Sequence, residues 1–199
     1  MTKPDNPLMA SSAVGFIHLR IHSAFSLLEG AMHIATLAKL AKQYEMPALG
    51  LSDTGNLFGA LEFSQTMAAH DVQPIMGCSL RIAFDSLSDQ QGNRYQDTPR
   101  VAILPLIAKD EQGFMNLMHL SSCAYLDTDA ALEPQLPLSL LKQHSDGLIA
   151  LSGGPSGAIN QALVERMPNE ADRIVDCLLD IFGDRFYIEL QRHSMTEEL

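Results

Sequence analysis

Ala48-Leu-Gly-Leu-Ser-Asp-Thr-Gly-Asn56 is the stretch that decides how the rest of the chain reads. Ala48 to Leu51 is a short apolar run set off by Pro47, and Ser52 to Asn56 is a polar loop at its carboxyl end. From Leu57 onward, Ala60, Leu61, Ser64 and Met67 or Ala68 recur at the helical period. The unit is strand, functional-looking loop, helix.

Working outward, Gly15 to Ile21 alternates and carries the β-branched Ile17 and Ile21, which predicts a first strand. Gly30 marks a turn before a helix of about 14 residues, with Ile34, Leu37, Ala38 and Ala41 on one face and Pro47 as its stop. Downstream, Pro74 to Phe84, Val101 to Ala108, Gly147 to Leu151 and Phe186 to Gln191 read as strands. Glu111 to Ala124 reads as a helix, and a short helix is expected near Ser139. A later helix is capped by Asn169, with Ile174, Cys177, Leu178 and Ile181 as its buried stripe before Gly183. The polar stretch from Asp85 to Pro99 is expected to be a solvent-facing hairpin or insertion, and residues 1–14 a polar extension. Six strands mostly followed by helices or short crossovers favour an α/β fold of parallel units over a sandwich or a bundle. A closed barrel would need a further strand after His193, so an incomplete barrel with an exposed edge is the expectation.

The chain has 199 residues, 46% of them hydrophobic, which is enough for one substantial core. With 13 basic against 24 acidic residues the formal charge is -11, which disfavours a broad footprint on a phosphate backbone. Cys78, Cys123 and Cys177 are odd in number, far apart and set in largely apolar stretches, so they read as free thiols in a reducing compartment. Met1 to Ser12 lacks a basic region leading into an apolar run, and no apolar stretch is long enough to span a bilayer. A cytoplasmic protein is the expectation.

The residues that bear chemistry are few. His18 and His22 flank Arg20 in Phe16-Ile-His-Leu-Arg-Ile-His-Ser23, and Asp53 lies in the central loop. A hydrolytic metal cluster needs several imidazoles and carboxylates converging on the ions, and this supply is thin. His22 reads either as a ligand of a residual metal site or, preferably, as a hydrogen-bonded histidine paired with Asp53. Asp53 reads as a catalytic carboxylate or, preferably, as a cap on the following helix. Arg20 is expected to ion-pair with Asp53 or Glu29. Ser152-Gly-Gly-Pro-Ser-Gly157 reads as a phosphate cradle or, preferably, as a tight turn, since it lacks the Lys-Ser or Lys-Thr ending of a mononucleotide loop. His33, His70, His119 and His144 share no ligand spacing and read as surface or capping residues. Met67, Met115 and Met118 read as core fillers.

Phe16 to Gly30 and Pro47 to Phe63 together resemble the amino-terminal polymerase-and-histidinol-phosphatase (PHP) domain of bacterial replicative DNA polymerase III alpha subunits. The likeness continues through Gln73-Pro-Ile-Met-Gly-Cys78, Leu106 to Leu117, Gly147-Leu-Ile-Ala-Leu-Ser-Gly153 and Phe186-Tyr-Ile-Glu-Leu-Gln191. The resemblance implies a distorted seven-strand β/α barrel at the start of a much larger nucleotidyltransferase. That parent is a DNA-directed DNA polymerase whose catalytic carboxylates, Mg2+ and DNA contacts lie in other domains. It further implies a domain that supports the rest of the alpha chain and binds a separate proofreading exonuclease subunit.

Metal-competent relatives have a His-x-His pair that falls on Arg20 and His22, and a later histidine that falls on Thr54. Their glutamate falls on Ser79, their Ser-Gly-Cys cysteine on Gly154, and another histidine near Arg100 or Val101. His193 matches a retained histidine, and a final Asp-x-His pair would lie beyond Leu199. Arg20 has no lone pair to donate and repels a cation, Thr54 and Ser79 are weak neutral donors, and Gly154 offers no side chain. The resemblance thus implies a degenerate pocket of Arg20, His22, Asp53, Thr54, Ser79, Gly154 and His193, with no metal and no catalytic residue in this chain. Two other readings stand beside it. One is a phosphoesterase or pyrophosphatase with a reduced metal site of His22, Asp53 and His193; the other is a freestanding protein-interaction module.

Overall fold

The computed structural model describes residues 15–84 and 99–191. In chain order they form α1 (Ile34–Gln43), β1 (Ala48–Thr54), α2 (Ala60–Ala69), β2 (Gln73–Phe84), β3 (Arg100–Ala108) and α3 (Glu111–Leu126). β4 (Leu136–Pro137), α4 (Leu138–Gln143), β5 (Leu148–Leu151), α5 (Ala158–Val164), α6 (Pro168–Phe182) and β6 (Phe186–Tyr187) follow. The fold is α/β, as the sequence indicates, but the sheet is mixed rather than built of parallel units. Its order is β1-β2-β3-β5-β6, with β4 beside β2. β1 and β2 pair parallel, β3 runs antiparallel to both β2 and β5, and β6 returns parallel to β5.

Two expectations about strands are corrected. Gly15 to Ile21 is not a strand: it touches β1 through a single bridge, Ile21 to Leu51. The last strand spans Phe186–Tyr187 and stops well short of Gln191. Among the described residues the sheet does not close into a barrel. The polar insertion falls on residues 85–98, outside the described residues; the flanking strands pair antiparallel through Phe84 and Arg100.

Strand pleating explains the main core. Cys78, Leu80, Ile82 and Phe84 of β2 and Ala102, Leu104 and Leu106 of β3 occur at every second residue and are all buried. Leu117 and Leu120 of α3 and Ile174, Leu178 and Phe182 of α6 join the same cluster. A second cluster fills the space between α1, α2 and β1, and there the predicted face of Ile34, Leu37, Ala38 and Ala41 is fully buried. α1 is shorter than expected, since Met32 turns back to accept a hydrogen bond from the Ala24 amide at 2.9 Å and the helix begins only after His33.

On α2 the buried face is Ala60, Phe63 and Met67 rather than the one running through Leu61, which is exposed. Phe63 is the larger payload and turns the helix toward itself. α6 begins with Pro168 at its first turn and Met167 before it, not with an Asn169 cap; proline presets the helical φ and has no amide to leave unsatisfied. Its buried stripe contains Ile174, Leu178 and Ile181 as predicted, with Cys177 only half-buried.

Candidate functional site

The site lies where the segment before α1 runs along β1. Gly50 permits that approach: a Cβ there would sit 2.6 Å from the Leu19 carbonyl oxygen. The Gly50 amide therefore reaches the His18 oxygen at 2.7 Å, and the Ser52 amide reaches the Ile21 oxygen at 2.8 Å. These contacts hold Arg20 and His22 over the carboxyl end of β1.

Arg20 does not pair with Asp53 or Glu29. Its Nη1 lies 3.1 Å from Glu189 Oε2 and also donates to the Gly153 carbonyl oxygen at 3.1 Å. Sequence reasoning missed Glu189; its place two residues after the Phe186-Tyr187 pair was the available signal. Glu189 is positioned in turn by its own amide, which donates to Ser152 Oγ at 2.9 Å, and by the Gln191 amide group. Gly154, with φ +54°, lets Gln191 come close, for a Cβ at that position would lie 2.9 Å from Gln191 Cδ. This network joins the first and last described segments, which the backbone ladder leaves apart.

His22 is also differently partnered from expectation. Its Nδ1 lies 3.1 Å from Glu29 Oε2, which accepts a 2.5 Å hydrogen bond from Thr54 Oγ1. Asp53 does not cap α2. Its Oδ1 accepts from the Ser23 amide at 2.7 Å and from Ser26 Oγ at 2.5 Å, and its Oδ2 accepts from Ser23 Oγ at 2.7 Å. A buried carboxylate with three short donors is held as a structural acceptor, tying the loop before α1 to β1. Ser79 is buried on β2 and shares a 2.8 Å hydroxyl contact with Ser52. His193 lies outside the described residues.

These residues do not fit a divalent ion. A guanidinium sits at one corner, both Asp53 oxygens are engaged by serines, and Thr54, Ser79 and Gly154 supply at most neutral oxygens. Among the described residues, no group of three or more His, Cys, Asp or Glu side chains is arranged to hold a metal, and no buried side-chain nitrogen or oxygen lacks a partner.

Elsewhere, the Ser152–Gly157 stretch is a tight turn with a 3-10 segment, Gly154–Ser156, leading into α5. Cys78 is fully buried, and burial foremost, with Asp53 nearby, pushes its thiol up to about 12. That suits a core group and not a nucleophile. His119 and His144, separate in sequence, pack with ring centroids 4.4 Å apart and their planes tilted by 51°. Met67 fills the core, whereas Met115 and Met118 are exposed. Arg100 lies at the start of β3 and grips Glu165 at 2.6 Å and Glu170 at 2.8 Å, pinning the α5–α6 connection to the sheet. No helix among the described residues is long and apolar enough to cross a membrane.

Comparison with known proteins agrees with this architecture. The chain is 42% identical over 184 residues to DNA polymerase III subunit alpha of Caulobacter vibrioides, covering 92% of this chain and 16% of that protein. It is 39% identical to the Thermus aquaticus subunit and 41% identical to that of Chlamydia trachomatis, covering 94% and 92% of this chain and 15% and 14% of those proteins. The chain thus spans only about one sixth of these relatives' length. Among solved structures, an amidohydrolase from Chromobacterium violaceum superimposes with a TM-score of 0.51 at 13% identity, covering 86% of this chain and 75% of that one, which speaks to the fold alone. The model of the PHP domain matches residues 18–193, and with that span the chain belongs to the PHP-domain family.

Proposed function

We propose that this chain is the PHP region of a replicative DNA polymerase of the DNA polymerase III alpha type and that it works there as a scaffold. The observation that carries the reading is the Arg20–Glu189 ion pair, which with the Gly153 carbonyl occupies the mouth where a hydrolytic centre would need electron donors. Identity near 40% to several alpha subunits supports the parent. Arg20, His22, Asp53, Thr54, Ser79, Gly154 and His193 form the degenerate pocket of this proposal, within a PHP domain running from residue 15 and carrying a polar insertion near 85–99. The parent is a cytoplasmic DNA-directed DNA polymerase that uses Mg2+ and contacts DNA in other domains. This domain supports the remaining alpha chain and binds the proofreading exonuclease subunit.

The test uses the full-length protein. Primer extension should survive His22→Ala, and hydrolysis of bis-p-nitrophenyl phosphate with added Mn2+ or Zn2+ should not depend on His22 or Asp53. Metal-dependent hydrolysis abolished by both His22→Ala and Asp53→Asn would replace the scaffold with a phosphoesterase.

A further inference from the structure

Asp146-Gly147 is the one Asp-Gly step in the sequence, and no Asn-Gly accompanies it. An aspartate before glycine can react with its own backbone, because no side chain shields the next nitrogen. The Gly147 nitrogen adds to Asp146 Cγ, the carboxyl hydroxyl leaves as water with the amide proton, and a five-membered succinimide closes. Water then opens the ring. Attack at Cγ restores aspartate, whereas attack at the backbone carbonyl carbon breaks its bond to the Gly147 nitrogen and leaves the chain running through the side-chain carboxyl, as isoaspartate. One water leaves and one returns, and no other reactant is consumed.

The step lies in the turn between α4 and β5, with Asp146 exposed to water. The Leu148 amide donates to the Ser145 oxygen at 3.1 Å, and Gly147 is left-handed at φ +70° while Asp146 is not. That is the type II pattern, which sets Asp146 ψ at about +120°. Ring closure needs the Gly147 nitrogen eclipsed with Cβ, at ψ of about -120°, outside the regions a non-glycine residue favours. The turn holds the nucleophile on the wrong side. Asn116 Nδ2 donates to the Asp146 oxygen at 2.8 Å, the Lys109 amide donates to the Gly147 oxygen at 2.8 Å, and Arg185 Nη1 donates to the Ser145 and Leu148 oxygens. Behind the turn, Gly113 packs so closely that a Cβ there would lie 1.9 Å from the Gly147 oxygen. Reaching the reactive angle rotates the Asp146-Gly147 peptide plane and so breaks the Asn116 bond.

We propose that Asp146-Gly147 is a latent isomerisation site, held unreactive by this clamped turn and released by local opening of the α4–β5 connection. The inference is independent of the scaffold reading. Isoaspartate adds one carbon to the backbone ahead of Gly147, and the Gly113 contact together with the pairing of Ala108 and Leu148 leaves no room for it. A turn that has isomerised does not reclose in its original register, so a transient opening is recorded as lasting damage at the start of β5.

The experiment incubates the full-length protein at near-neutral pH in heavy-oxygen water. Chromatography with mass spectrometry then follows the peptide containing Asp146 for isoaspartate and for the heavy oxygen that each succinimide hydrolysis inserts. The folded protein should react at least about 100-fold more slowly than the same protein unfolded in urea, because the turn opens rarely. Asn116→Ala should raise the folded rate about fivefold, the factor for one lost hydrogen bond. Arg100→Met, which loosens the α5–α6 connection instead, should leave it within about twofold. Equal rates in the folded and unfolded chains, a rate unchanged by Asn116→Ala, or equal effects of the two variants overturns the proposal. Should Asn116→Ala fail to fold, subdenaturing urea gives the reading on the unaltered chain: the rate should climb together with amide exchange at Leu148, and a flat rate beside rising exchange overturns the proposal equally.

Discussion

Replacing Arg20 by alanine removes the side chain that joins the two ends of the sheet. The Arg20 and Glu189 side chains retain 17% and 13% of their exposure, so the pair lies well below the surface without being sealed from water. Fully exposed pairs are worth about 0–1 kcal/mol, and removing one partner of a buried pair costs about 3–5 kcal/mol. Arg20→Ala also takes a donor from the Gly153 carbonyl and leaves Glu189 facing Gln191 alone. A loss of about 2 kcal/mol follows, which for a domain of this size lowers the melting temperature by about 4–8 °C. Lys42→Ala is the internal control: its pair with Asp71 is 57% and 86% exposed, and its loss should fall within about 0.5 kcal/mol. Urea unfolding followed by circular dichroism, with calorimetry, measures both. Arg20→Met combined with Glu189→Leu should recover at least half the loss, since no charge is then left unpaired, giving a coupling of about 1 kcal/mol or more. If Arg20→Ala matches Lys42→Ala, or the double variant is simply additive, the ion pair does not hold the sheet's ends together.

Asp53→Asn replaces a pure acceptor by a group that sets an NH2 against serine donors, and should cost about 2–3 kcal/mol with faster amide exchange at Ser23 and Thr54; unchanged exchange would refute the anchoring role. Cys78 should resist iodoacetamide at pH 8 in the native state and react on unfolding. Its folded pKa is raised, so its contribution is complete below the ordinary thiol range and is lost as pH rises from about 9 toward about 12; Cys78→Ala should flatten that alkaline loss, measured by urea unfolding at several pH values. The Arg100 hydrogen bond holds the Glu165 carboxyl below its usual range, so that pair contributes above the ordinary carboxylate pKa and fades as pH falls through the lowered one. Arg100→Met should therefore destabilise most at neutral pH and converge with the native chain in acid, and an equal deficit at all pH values would contradict this.

The elements with strong periodicity were legible without coordinates. β2 and β3 were predicted to within about a residue at each end, because alternation over their length leaves one consistent register. The face of α1 was legible for the same reason at the helical period. The segment from Gly15 to Ile21 alternates like a strand, yet its pairing depends on what lies beside it, and only one bridge to β1 forms. The short α5 was missed, as its seven residues span barely two turns.

At the site, residue identity alone reveals which side chains lack ligand chemistry, because a guanidinium, a hydroxyl or a glycine has the same donor capacity wherever it is placed. Their partners emerge from the fold. Arg20 meets Glu189 across 169 positions, His22 meets Glu29, and Asp53 turns to Ser23 and Ser26 rather than to α2. Long-range ion pairs depend on which segments the sheet order brings side by side, and antiparallel β3, which sets that order, carries no mark of its direction in its own residues.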